Sequence, residues 1–183
     1  MAGGAGTLAG FRSGGPAALL LVPLLAMQVT DEMNWGPADF AIFGAMLAGV
    51  GGTYEFAARM ATSNAYQAAV GIALATTFVL VWMNLAVGIV GAEDNPANLL
   101  HGGVLAVAII GAVIARLQPH GMAGTLVATA LAQALAAMIV LIAGLGFTVS
   151  LTVLTSVFVA LWLRSAWLFR KAAREGIPAD AAP

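Results

Sequence analysis

The sequence predicts an all-α integral membrane bundle of about six transmembrane helices, and three observations carry that prediction. Hydrophobic residues fill 61% of the 183 positions and charged residues only 8%, against about 25% charged in ordinary soluble domains. Nearly every window of about 19 residues between Pro16 and Phe169 is apolar enough to partition into hydrocarbon. The few charges are also sorted: the seven basic residues and five of the eight acids fall at alternate ends of the apolar runs.

Taken in order, residues 1–13 form a polar leading tail, residues 14–169 the transmembrane domain and residues 170–183 a basic trailing tail. The first apolar segment runs from 14 to about 30, contains Pro23 and exits at Asp31-Glu32. If it is a cleaved signal peptide, five crossings remain. The second, Pro37 to about Arg59, opens with Pro37 and Asp39 in the positions favoured at a helix start. The third runs from Asn64 to Val90 and turns at Glu93-Asp94-Asn95-Pro96 into a fourth, about Ala97 to Arg116. Gln118-Pro119-His120-Gly121 is expected to break the chain before a fifth helix, about Met122 to Ala143. Gly144 to Gly146 then turns it into the sixth, Phe147 to about Leu168. Pro37-Ala38-Asp39 with Gly44 and Arg59 is echoed by Pro96-Ala97-Asn98 with Gly103 and Arg116, a weak sign of related hairpins.

Arg12, Arg59, Arg116, Arg164, Arg170, Lys171 and Arg174 all lie at ends that six crossings place on one side. Because Lys and Arg are retained in the cytoplasm, both termini are expected there. The basic C-terminal end is expected to meet anionic lipid. Trp35 is expected among the external headgroups, and Trp162 and Trp167 at the cytoplasmic face. Small residues at every fourth position, Gly44, Ala48 and Gly52 in one helix and Gly124, Ala128, Ala132 and Ala136 in another, predict faces where backbones approach closely. Such faces serve contacts within the chain, with a second copy or with another membrane protein.

Polar residues inside the apolar runs are the candidates for function. Glu55, Asn84 and Gln133 are the ones that could line a transport path. The competing reading gives Asn84 and Gln133 an interhelical hydrogen bond and pairs Glu55 with Arg59 one turn later. Asp31, Glu32, Glu93, Asp94 and His101 would share the external surface if the first two hairpins pack side by side, and could there hold a divalent cation. A solvated acidic loop, with His101 as a polar residue opening its helix, is the plainer alternative. No other cofactor is predicted.

Several chemistries are disfavoured. His101 and His120 fall at opposite faces, so they cannot jointly ligate one haem. Lys171, the only lysine, lies in the tail, leaving no mid-membrane amine for a Schiff base. There is no cysteine, no serine-hydrolase elbow, no zinc-protease motif and no phosphate loop. The eight methionines lack the close repeat of a copper carrier. Nucleic acid is not an expected partner.

Thr30-Asp31-Glu32, Asn34-Trp35 and the stretch from Asn84 to Asn98 resemble an uncharacterised family of small bacterial multi-pass inner-membrane proteins, over most of the chain from Pro23 to Gly144. The resemblance implies the bacterial inner membrane and brings no activity with it. On sequence alone the first expectation is a non-enzymatic accessory or structural subunit of a membrane assembly. A small-solute or ion transporter or channel is the alternative, and a membrane enzyme or metal carrier with an external acidic site comes third.

Overall fold

The computed structural model describes residues 21, 24–25, 27–28, 35–61, 63–86, 89–90, 96–144 and 149–175. Among the described residues five α-helices have full bounds: α1 (Pro37–Arg59), α2 (Asn64–Ala86), α3 (Leu99–Ile114), α4 (Pro119–Ile142) and α5 (Val149–Glu175), with a 3₁₀ turn at Pro96–Asn98. Residues 21, 24, 25, 27 and 28 are helical too, within the first apolar segment; the rest of that segment lies outside the described residues. Four helices, α1, α2, α4 and α5, are long and apolar enough to cross a membrane. α3 has 16 residues, about 24 Å of helix, short of the about 30 Å hydrocarbon core.

The chain divides into two compact units, residues 1–55 and 56–183. In the first, Gly36, Pro37 and Asp39 start α1 as expected: Pro37 needs no intrahelical donor, and the Asp39 carboxylate accepts the Gly36 N–H at 2.8 Å. The Trp35 ring meets Phe40 and Phe43 edge-on, with centroids 5.4 Å apart in both pairs.

The second unit is a bundle in which α2 packs on α5, α5 on α4 and α4 on α3, with a lighter contact between α3 and α2 closing the ring. Each helix buries a stripe whose steps alternate between three and four residues. On α2 the stripe is Tyr66, Ala69, Ala73, Thr76 and Leu80; on α4 it is Met122, Leu126, Thr129, Gln133, Ala136 and Val140. On α5 it is Leu151, Thr155, Phe158, Trp162, Ser165, Phe169 and Ala172, and on the shorter α3 it is His101 and Val104. That spacing averages 3.5 residues, the repeat of a left-handed helical bundle.

Printed in these stripes is the register. The Ser165 hydroxyl donates to the Ala69 carbonyl at 2.7 Å, and the Phe169 ring meets Tyr66 edge-on at 5.3 Å, so α2 and α5 run antiparallel. Val140 and Leu151 share a core cluster with Ala97 and Val90. A Cβ on Gly111 would run into the Thr125 side chain, and one on Gly121 would reach the Ala115 Cβ at 2.8 Å, which sets α3 against α4. These glycines are where α3 and α4 come closest.

Two predicted boundaries are corrected. The third predicted helix does not reach Val90: α2 ends at Ala86, and Ile89 and Val90 form a bend whose two N–H groups both donate to Asn98 Oδ1 at 2.9 Å. A side chain takes over the role of the helix ladder there. The break expected at Gln118 to Gly121 is shorter than expected, because Pro119 already occupies the first turn of α4. The reversal is made instead by Arg116 and Leu117, which have φ of 49° and 56°. α5 runs on through Arg170 to Glu175, carrying the helix into the basic end. Gly144, at φ 65°, ends α4 as the glycine turn predicted.

The small-residue rows lie mostly outside the bundle core. Gly124 and Ala128 are exposed and Ala132 half-buried; only Ala136 of that row lies on the buried stripe of α4. Gly124 and Gly52 have open space where a Cβ would stand. The inward face of α4 is set by larger side chains, Met122, Leu126 and Val140, that fill the bundle.

Candidate functional site

Buried polar side chains interrupt the apolar core of the bundle over several successive layers. Carrying the registers along, Asn84 lies near the Val140 and Leu151 layer, His101 is level with Thr155 and Ala136, Gln133 with Phe158, Val104 and Thr76, and Trp162 with Thr129 and Ala73. Successive layers are separated by about 5 Å, three to four residues of helix rise. Polar side chains therefore descend from the Asn98 end to the middle of α5.

Two groups of polar side chains behave differently. Thr76 and Thr129 donate their hydroxyls to the carbonyls of Ile72 and Thr125, at 2.7 and 2.9 Å, inside their own helices. Toward the basic end, Ser165 is spent on Ala69 and the Tyr66 hydroxyl on Leu117 O at 2.8 Å. By contrast Asn84 Oδ1, His101 Nδ1, Thr155 Oγ1, Trp162 Nε1 and both amide atoms of Gln133 are buried without a hydrogen-bond partner among the described residues. The Asn98 backbone beside the His101 ring gives Nδ1 no partner of good geometry. His101 is 2% exposed, Gln133 1% and Trp162 0%.

A buried polar atom left unpaired costs about 1–3 kcal/mol. Such atoms are rare and scattered in most proteins. Here they occupy consecutive layers of one bundle, on all four of its helices, and every group is uncharged or, in His101, neutral when deprotonated. The row can donate and accept hydrogen bonds at each level down to Trp162, whose indole N–H only donates. It has the chemistry to hold a neutral hydrogen-bonding guest, and no fixed charge with which to hold a bare ion.

Of the predicted site residues, Asn84 and Gln133 are brought into this row. So is His101, expected at a polar surface and found buried. Glu55 lies on α1 in the other unit, half-buried; neither it nor Arg59 is without a partner. Asp31, Glu32, Glu93 and Asp94 lie outside the described residues, so the divalent-cation site they would form with His101 does too. Among the described residues no three His, Cys, Asp or Glu side chains come together as metal ligands. Sequence reasoning missed Thr155 and Trp162. Trp162 was expected among cytoplasmic headgroups, but it lies midway along α5 and faces inward. No signal in the sequence marked it, because α5 carries apolar side chains such as Val153, Val157 and Leu163 on its outward face as well. Arg164 is exposed on α5.

No family model, curated protein or solved structure matches the chain. The resemblance noted from its sequence rests on the quoted residues alone.

Proposed function

We propose that the protein is a multi-pass transporter or channel that takes a small, uncharged, hydrogen-bonding solute into the interior of the α2–α5 bundle. The single observation that carries this reading is the row of unpartnered buried groups at Asn84, His101, Thr155, Gln133 and Trp162. A bundle selected only for stability would fill those layers with apolar side chains, because a half-satisfied polar network is worse than none. In this reading the basic ends of the helices face the cytoplasm of a bacterial inner membrane and the Asn98 end faces outward. Arg170, Lys171 and Arg174 then rest among anionic headgroups.

The test is solute entry into vesicles. Protein reconstituted into sealed liposomes and exposed to an osmotic step of glycerol or urea should equilibrate faster than protein-free liposomes, by stopped-flow light scattering. Rates no faster than those of protein-free liposomes for both solutes, with folded protein in the membrane, would remove the proposal.

A second reading, an accessory subunit of a membrane assembly, draws on Gly124 and Ala128, which leave part of α4 flat and exposed. Purification in mild detergent followed by mass spectrometry decides it: a stoichiometric partner protein supports it, and a chain that purifies alone does not.

A further inference from the structure

Resting on that reading of the bundle interior, we infer that the row from Asn84 to Trp162 is a binding site for a chain of water molecules that ends at Trp162. Spacing is the first argument. Layers of the bundle follow one another at about 5 Å, and a water bridging two groups at about 2.8 Å from each spans a similar distance. Asn84, Thr155, Gln133 and Trp162 follow one another layer by layer, and each keeps a buried polar atom without a hydrogen-bond partner among the described residues.

Polarity along the row is the second argument. Asn, His, Thr and Gln can pass a hydrogen bond along a chain, donating on one side and accepting on the other. An indole N–H donates and accepts nothing, so it terminates such a chain. The hydroxyl protons nearby are already given to the backbone, that of Thr129, level with the indole, to Thr125 O, and below it those of Ser165 and Tyr66 to Ala69 O and Leu117 O. The Tyr66 and Phe169 rings, in edge contact, close the bundle below. The row of unpartnered groups ends at Trp162.

Water is a guest that such sites bind routinely, with two to four polar partners each. It enters without any group on the row carrying charge.

The indole proton of Trp162 reports on this directly. In ¹⁵N-labelled protein held in lipid nanodiscs, the four tryptophans give four indole signals, with Trp162 assigned from its absence in Trp162→Phe. The expected result is magnetisation transfer from water to the Trp162 indole and its loss on transfer to D₂O, despite zero exposure. Gln133→Leu, which removes the rung above, should abolish both in a protein whose helical circular dichroism is unchanged. A wild-type Trp162 signal with no transfer that persists in D₂O overturns the proposal, and so does transfer that survives in folded Gln133→Leu. Because the readout is hydration and not flux, a wet Trp162 in a protein that moves no glycerol or urea refutes the transport reading alone. Flux past a dry Trp162 refutes this one alone.

Discussion

Ser165 donates its hydroxyl proton to the carbonyl of Ala69 across 2.7 Å, joining α5 to α2 at a point where both residues are fully buried. The carbonyl belongs to a helix interior, where the backbone ladder supplies it a donor as well. Removing the hydroxyl therefore leaves no orphan. Ser165→Ala should destabilise the bundle by only about 0.6 kcal/mol, the mean for interhelical hydrogen bonds in membranes. Ser165→Leu, whose bulk must separate α2 from α5, should cost several times more. Unfolding in mixed micelles followed by circular dichroism measures both.

Asn98 is the contrasting case. Its Oδ1 accepts the N–H groups of both Ile89 and Val90, each at 2.9 Å, and it is buried. Asn98→Ala strands two donors at once, for about 1–3 kcal/mol each. The same unfolding assay should rank Asn98→Ala well below Ser165→Ala in stability. The reverse order would show that the bend at Ile89 and Val90 is held by something else.

How legible this was beforehand varied with the kind of signal. Pro37 and Asp39, Arg59 and Gly144 mark helix ends through local chemistry, and they stand where local chemistry placed them. Asn84 and Gln133 could be singled out because an amide in an oily helix has few explanations. What could not be read was which face of each helix looks inward. In a soluble protein water sets that face by leaving it apolar, but lipid is as apolar as the core, so the helices are hydrophobic all round. That is why Trp162 was expected in the headgroup belt. The end of α2 failed for another reason: the Asn98 side chain, eight residues beyond Val90, replaces helix hydrogen bonds from outside the helix.

Gly111 and Thr125 form a lock-and-space pair. A Cβ at Gly111 would stand 2.9 Å from Thr125 Oγ1 and 3.1 Å from its Cβ, with Cγ2 nearer still. Gly111→Ala should lower stability by about 1–3 kcal/mol, the usual range for overpacking. Thr125→Ala in the same chain should recover much of the loss. A double-mutant cycle with no coupling would contradict the close approach of α3 and α4 at that level.

Arg116 and Leu117 hold left-handed backbone without being glycine, at φ of 49° and 56°. A left-handed conformation costs an L-residue about 1–2 kcal/mol. Arg116 is exposed, so Arg116→Gly should raise stability by about 1 kcal/mol once the greater freedom of glycine in the unfolded chain is offset. Tyr66→Phe should lower it, since the hydroxyl that holds Leu117 O is lost. Thermal unfolding of the two variants should move in opposite directions.

The most direct measurement of the central claim is solute flux through Gln133→Leu, taken beside its unfolding free energy. If the Gln133 amide serves a guest and not the fold, leucine spares two unpaired buried atoms. The variant should then match or exceed the wild type in stability while the entry of glycerol or urea into vesicles falls to the protein-free rate. A variant that loses stability by more than about 1 kcal/mol and moves solute as the wild type does would mean that the amide holds helices together, and the polar row would have to be read as structure.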